Sequence, residues 1–322
     1  MNASYDKNAA IVVLPPVSGG RLENKSLRAW LAHSDLTREP GPIQSLVQVV
    51  RELGLVYPEQ GIAALRMWGQ TGDRPAEWVA AADPVYLEPR LDHLVLHALR
   101  RAGVNRAEMR VLINHLQAKL ASDQYGFVRL GTYSYLSARS PIATARVPAY
   151  LVDNKKPDDF LPSGDDSAEY RNLSSEIEMA LHEHEVNLNR DARGHLPVNS
   201  LWLWGGGTAP EQKTGVQPPL FSDDALMRGY WKSANGVDEG WPGDINTCIE
   251  ESVAGFVAEI PEFGGKPALL EPCLEVLREA LSSGRLSSLT LLFRDGLRAH
   301  VQRRHSIRIW RRSYRLLDEE AK

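Results

Sequence analysis

The sequence predicts an α/β protein whose mixed sheet is flanked by helices. Three observations carry this reading. Apolar runs such as Ile11–Leu14 and Leu201–Trp204 are too short for helices and end in proline or glycine. Segments between such runs repeat their apolar residues at helical spacing, as Tyr170, Leu173, Ile177, Ala180 and Leu181 do. Near the end, Leu286–Phe293 and Leu297–Val301 flank Asp295-Gly296, the pattern of a β-hairpin. An antiparallel pair beside strands joined through helices makes a mixed sheet.

In chain order, Ile11–Leu14 reads as a strand, and Leu27, Trp30 and Leu31 begin a small helix. Gln44–Leu53 presents a buried helical face ended by Gly54 and Pro58. Ile62–Trp68 reads as a second strand, closed by Gly69 through Gly72. Trp78–Leu87 is extended and broken at Pro84. Leu91, Leu94, Val95 and Ala98 have helical spacing, and Glu108–Ala121 forms a further helix. Tyr125–Leu130 and Thr132–Leu136 read as two short strands around Gly131.

Residues 151–167 are rich in Pro, Gly and Asp without apolar period. They mark the expected boundary between an N-terminal α/β part, 1–150, and a C-terminal part, 151–322, unless the two are one continuous domain. Asp166 and Glu169 have capping-box spacing ahead of the helix that carries Tyr170 to Leu181. Later helices are expected over Asp223–Ala234, over 268–281, and around Ile307, Ile309, Trp310 and Leu316.

The chain has 322 residues, 43% of them hydrophobic and 24% charged, with a net charge of −4. These are the proportions of a soluble globular protein, and they give no global reason to expect nucleic acid or an anionic membrane. Ile11–Leu14 is too short for a signal peptide, and Cys248 and Cys273 lack metal-ligand spacing. A cytoplasmic protein with reduced thiols is expected. Between Arg294 and Arg315 there are eight arginines, with Trp310 and Tyr314 among them. Such a stretch suits phosphate or nucleic-acid contact, but no nucleic-acid motif accompanies it, and a solvated basic face is the better reading.

Leu181–Thr208 is the least ordinary stretch. Asn187, Asn189, Arg190, Arg193, His195 and Asn199 lie between a helix and a strand that runs into Gly205, Gly206 and Gly207. Many side-chain donors with rigid flanks point to a site for an anionic or polar ligand. The expected ligand-binding residues are Asn187, Arg190, His195, Asn199, Gly205, Gly206 and Gly207. Arg190, Asn187 and Asn199 are expected to form one polar cluster beneath the glycine turn, where the guanidinium holds backbone carbonyls or ligand oxygens.

A glycine turn after a strand can cradle phosphate, yet Pro210 stands where the dinucleotide fingerprint needs glycine. Gln212 spoils the P-loop pattern that Lys213 and Thr214 nearly complete. A turn that lets the backbone pass close to a neighbour is the better reading. His93 and His97 are four apart in the expected helix, without a third ligand, and no metal or cofactor is expected.

The residues Glu176, Leu181, His184, Val186, Asn187, Arg190 and Gly194, with the run from Pro197 to Gly207, resemble the RpfE-type regulatory proteins (regulator of pathogenicity factors E). Asp83 to Leu87 with Asp92 and Leu94, and Asp224 with Arg228 and Gly229, extend the resemblance over about Trp78 to Gly236. The portion from Asn187 and Arg190 to Asn199 also resembles the archaeal type of cofactor-independent phosphoglycerate mutase. That second likeness implies an alkaline-phosphatase-like α/β core, two metal ions and a nucleophilic serine.

The chain departs from the mutase pattern after its first strand. Pro15 to Gly20 stand where an Asp-Gly-x-x-Asp metal signature is expected, and the Gly-Asp-His segment is missing. Two function classes follow. One is a regulatory or binding protein on a mutase-like frame, which takes a small polar or phosphorylated ligand or a protein partner. The other is an active phosphotransferase in which Ser18 would be the nucleophile, with metal ligands that the sequence does not reveal.

Overall fold

A computed structural model describes residues 8–18, 22–40, 43–99, 103–164, 167–211, 217–252, 254–261, 270–308 and 317. Its strands are β1 (Ala9–Leu14), β2 (Asp35–Arg38), β3 (Trp78–Pro89), β4 (Leu94–Ala98), β5 (Tyr125–Leu130), β6 (Tyr133–Ala138), β7 (Ser200–Gly207), β8 (Leu220–Phe221), β9 (Asp238–Glu239), β10 (Phe256–Glu259), β11 (Ser288–Phe293) and β12 (Leu297–Gln302). Its helices are α1 (Lys25–Ala32), α2 (Ser45–Glu52), α3 (Ile62–Thr71), α4 (Arg106–Leu120), α5 (Ser167–Leu181), α6 (Glu185–Asp191), α7 (Ala225–Ser233), α8 (Ile245–Glu251) and α9 (Leu270–Ser283). The expected α/β class with a mixed sheet and flanking helices is what the chain forms.

The chain divides into two compact units, residues 1–57 with 212–322, and residues 58–211. The boundary expected at residue 151 falls inside the second unit. The loop there is bound to β4: Leu96 N–H donates to Lys155 O at 3.0 Å, Asn154 N–H to Leu96 O at 2.8 Å, and Ala98 N–H to the Asp153 carboxylate at 2.8 Å. Its lack of apolar period reflects this irregular pairing.

In the first unit, seven strands run in the order β2-β12-β11-β1-β10-β8-β9. The neighbours from β11 to β9 are parallel, while β12 is antiparallel to β11 and to β2. The central strand β1 is flanked on both sides and buried from Ala10 to Leu14, which explains its unbroken apolar run. The core gathers Leu14, Leu27, Leu31, Phe256, Leu274, Leu277, Leu291 and Phe293 around it. Asn24 caps α1 by accepting from Ser26 N–H and Leu27 N–H, and Asp224 caps α7 through Leu226 N–H and Met227 N–H.

In the second unit the long strand β3 is the spine. It pairs antiparallel with β6 over Trp78–Ala81, with β7 over Val79–Val85 and with β4 over Val85–Pro89. Pro84 does not break the strand, because it stands where β3 passes from β6 to β4 and one ladder is already interrupted. Alternation along β3, β6 and β7 sends Ala80, Ala82, Leu136, Leu201 and Leu203 into a core with α4 and α5. The alternate residues Asp83, Tyr135 and Trp204 surround Arg66 of α3.

Three local expectations change. Ile62–Trp68 is helix, not strand: Ile62 to Leu65, Arg66 and Trp68 are all buried, so the run shows no amphipathic stripe. Leu94–Ala98 is strand, not helix, and Leu91 is exposed at the turn before it. The segment with Asn187 and Arg190 is the short helix α6 rather than a loop. Asp166, Gly19, Gly20, Lys213, Thr214 and residues 309–315 at the end of the basic stretch lie outside the described residues. No helix among the described residues is long and apolar enough to cross a membrane.

Candidate functional site

The residues expected to grip a ligand are each bonded within the second unit. Asn187, on α6, donates through Nδ2 to Leu181 O at 3.0 Å and Val198 O at 2.8 Å, and its Oδ1 accepts from Val198 N–H at 2.9 Å. Arg190 sends Nε to Leu196 O at 2.9 Å, Nη1 to the Glu108 carboxylate at 2.7 Å and Nη2 to Gly103 O at 2.7 Å. It is only 2% exposed.

Asn199 exchanges two bonds with Leu87 of β3, at 2.7 and 2.9 Å. The structure therefore brings Asn187 and Arg190 together on one short helix, but joins Asn199 to a different strand. His195 is exposed, and its backbone N–H donates to Arg190 O. Satisfied in this way, the side chains fasten the segment 195–199 to α4, α5 and β3.

The three glycines are the last residues of β7, not a turn beneath which the cluster lies. Gly205 N–H donates to Ala145 O, and Gly206 N–H to the Thr144 hydroxyl at 2.9 Å. A Cβ at Gly206 would lie 2.4 Å from Trp78 Cζ2, and one at Gly207 would lie 2.3 Å from Gly61 N. The strand thus passes against the start of α3 at a distance only glycine allows.

His97 pairs with Glu88 at 2.8 Å and His93 with Asp92 at 2.6 Å, across and beside the β3–β4 turn. Asp83, a residue of the expected motif, holds Arg66 Nη1 at 3.0 Å and accepts from Trp204 Nε1 at 2.6 Å. Tyr133, Tyr135 and Trp204 ring that guanidinium at 4.5, 4.8 and 5.3 Å.

A different set of polar side chains collects in the first unit, where the parallel strands end. In open α/β sheets ligands bind outside the carboxyl ends of the strands. Glu259 closes β10 and Arg294 follows β11, on the two sides of β1. Arg294 Nη2 donates to Glu259 Oε1 at 3.0 Å, and the Ser222 hydroxyl, at the end of β8, donates to Glu259 Oε2 at 2.8 Å. Next to β1, Ser18 N–H donates to Asp295 Oδ2 at 2.9 Å, and Arg38 Nη1 lies 3.4 Å from the same oxygen.

Glu259 is 5% exposed. Burial, with the nearby Asp224 carboxylate, pushes it above the usual carboxylate range, against the pull of Arg294 and Ser222. The guanidinium is the counter-charge that a buried carboxylate requires.

The sequence reading missed Ser222, Glu259 and Arg294 as a group. The available signal was a four-residue apolar strand between Gly255 and Pro261 that closes on a carboxylate. Of the described arginines in the basic stretch, Arg294 pairs with Glu259, Arg298 with Glu52 through two bonds of 2.6 Å, and Arg308 with Asp35 at 2.8 Å. Those three are tied to carboxylates of the same unit.

No family model matches the chain. A 2,3-bisphosphoglycerate-independent phosphoglycerate mutase of Methanosarcina barkeri is 32% identical over 169 residues, which cover 48% of this chain and 42% of that protein. The corresponding protein of Methanosarcina acetivorans is 31% identical over 199 residues, 55% of this chain and 50% of its own. One from Geobacter sulfurreducens, described as probable, is 28% identical over 180 residues, with shares of 52% and 45%. The chain spans about half the length of the curated relatives it matches.

Among solved structures, a cofactor-independent phosphoglycerate mutase from Thermoplasma acidophilum aligns with 92% of this chain and 89% of its own, at 18% identity and a TM-score of 0.44. A Pyrococcus horikoshii protein aligns with 92% and 87%, at 11% identity and a TM-score of 0.49. The chain is distantly similar to archaeal-type cofactor-independent phosphoglycerate mutases.

Proposed function

We propose that this chain is a regulatory or ligand-binding protein with a phosphoglycerate-mutase-like frame and no metal site. In this reading it holds a small polar or phosphorylated ligand, or an acidic segment of a protein partner, at the carboxyl edge of the first unit's sheet. The observation that carries it is the Glu259–Arg294 pair at that edge. Two-metal phosphoryl transfer needs carboxylates and imidazoles with lone pairs open to both cations.

Here Glu259 gives one oxygen to Arg294 and the other to Ser222, and Asp224 Oδ1 caps α7. Asp223 Oδ1 accepts from Trp241 N–H, and Asp295 Oδ2 accepts from Ser18 N–H. Among the described residues, no group of three or more His, Cys, Asp and Glu could hold a metal ion. In this reading the carboxylates at the edge serve the fold's own hydrogen bonds, and the Arg294 guanidinium supplies the positive charge.

A ligand at this edge would meet the part of Arg294 that stays 19% exposed, the partly exposed Ser18 and the exposed Asp223. A planar guanidinium suits phosphate or carboxylate oxygens. The resemblance of about Trp78 to Gly236 to RpfE-type proteins supports a role in bacterial signalling, and the two cysteines without metal-ligand spacing suit a cytoplasmic protein.

Elemental analysis, mutase and phosphatase assays with and without manganese, and thermal shifts with 3-phosphoglycerate in chelator test the reading. The expected outcome is no stoichiometric metal, no turnover, and a rise in melting temperature that Arg294→Lys abolishes. Two manganese or zinc ions per chain, lost together with turnover on chelation, would overturn it.

A further inference from the structure

His184 ends the stripe that the sequence singled out, and neither the fold's core nor the proposed ligand site uses it. It is the N-cap of α6. Its Nδ1 accepts from Val186 N–H at 3.1 Å, so the cap exists only while that nitrogen carries no proton. The ring packs edge-on against His115 of α4, with centroids 4.6 Å apart. His115 uses Nε2 to meet Ala180 O at 3.0 Å, so in its neutral form that nitrogen is its donor.

A proton on His184 Nδ1 has three consequences. It replaces an acceptor by a donor in front of Val186 N–H. It sets a positive charge at the positive end of the helix dipole. It also faces a second imidazole. Other charged groups lie on the elements around it. Glu185 of α6 favours the protonated form; Lys119 of α4 and Glu176 of α5 line the shallow groove that His115 borders; His182 and Glu183 form an exposed pair. Glu108 of α4 is held by Arg190. Burial first, then His115, hold His184 below the ordinary histidine value, so the cap is intact at neutral pH.

The helix behind this cap has seven residues, too few to persist without tertiary support. It carries Asn187 and Arg190, whose bonds fasten residues 196–198. Glu183, just before the cap, sits in the left-handed region at φ +52, a conformation a glutamate adopts at a cost. Loss of the cap therefore weakens the helix and, through Asn187 and Arg190, the segment 196–198 before β7.

We propose that His184 is a proton-operated latch: neutral, it holds α6 and the segment 192–198 onto α4 and α5; protonated, it loosens them. The device lies in the second unit and does not depend on the proposed ligand site.

Residue-resolved amide exchange of the full chain, corrected for intrinsic rates, tests this between about pH 7.5 and about pH 5. Protection of Val186 to Arg190 and of Val198 is expected to fall about fivefold or more, the size of one lost cap. The fall should follow the imidazole titration of His184 and spare β3 and α4. His184→Asn keeps a capping acceptor that does not titrate, and should remove the pH dependence. Unchanged wild-type protection overturns the proposal, and so does a fall whose midpoint departs from the His184 titration. If His184→Asn folds and keeps the same pH dependence, another group is responsible and the latch is refuted.

Discussion

Replacing Arg190 by lysine separates a fold-holding arginine from a ligand-holding one. The guanidinium spans three acceptors that no single ammonium can reach: Leu196 O, the Glu108 carboxylate and Gly103 O. Lysine keeps the charge and at best the Glu108 contact. Two hydrogen bonds from a charged donor are lost, at roughly 1.5–3 kcal/mol each before water returns to the carbonyls. A net loss of about 3 kcal/mol follows. For a unit of the second unit's length, each kcal/mol moves the midpoint by about 2–4 °C, so the melting temperature should fall by roughly 6–12 °C.

The assay is thermal melting followed by circular dichroism, with Glu108→Gln and the double variant completing a cycle. Glu108 also belongs to the capping box of α4, where Asn105 N–H donates to the same Oε2 at 3.1 Å. The cycle should therefore show a coupling of at least about 1 kcal/mol between Arg190 and Glu108. An Arg190→Lys melt within about a degree of wild type would refute the structural assignment of Arg190 and return it to the ligand.

Two further outcomes follow from the coordinates. Gly207→Ala would set a Cβ 2.3 Å from Gly61 N and 2.8 Å from Gly61 Cα, both backbone atoms that cannot swing away. The urea midpoint should fall by the equivalent of about 3 kcal/mol with its slope unchanged, and a midpoint equal to wild type would contradict the close approach. Burial holds His300 and His305 below the usual histidine value, helped by Arg298 at the first and Arg308 at the second. A lowered folded pKa means that their stabilisation is complete above about pH 6.5 and is lost as pH falls through the depressed values. Urea midpoints of wild type should drop on acidification, and those of a His300→Asn/His305→Asn variant should drop less.

The sequence was most legible where one face of an element is buried and the other is not. The stripe of α5 and the second strand of the final hairpin, β12, keep their period because their partners cover a single side or alternate residues. α3 was illegible for the opposite reason. It is enclosed nearly all round, and its ends are set by Gly61 and Gly72 in left-handed conformations that resemble strand-end turns in the sequence. β4 was misread because Leu91, Leu94, Val95 and Ala98 happen to fall at helical spacing, while pairing with the long β3 decided the outcome.

The candidate site shows a second limit, which is chemical rather than periodic. An asparagine that satisfies a neighbouring carbonyl and one that grips a ligand have the same letter and favour the same irregular segments. Asn187, Arg190 and Asn199 were visible because they cluster in sequence, and they cluster because each ties one irregular segment to a nearby element. Ser222, Glu259 and Arg294 come from three strand ends separated by long stretches of chain, and only the parallel order of β8, β10, β1 and β11 assembles them. Exposure then distinguishes the two groups. Arg190 is closed off with its three donor directions spent inside the fold, whereas Arg294 keeps part of its surface at the edge where open α/β sheets take their ligands. The donor cluster built from one segment thus fastens that segment, and the cluster assembled by sheet order is the one to which the proposed function assigns the ligand.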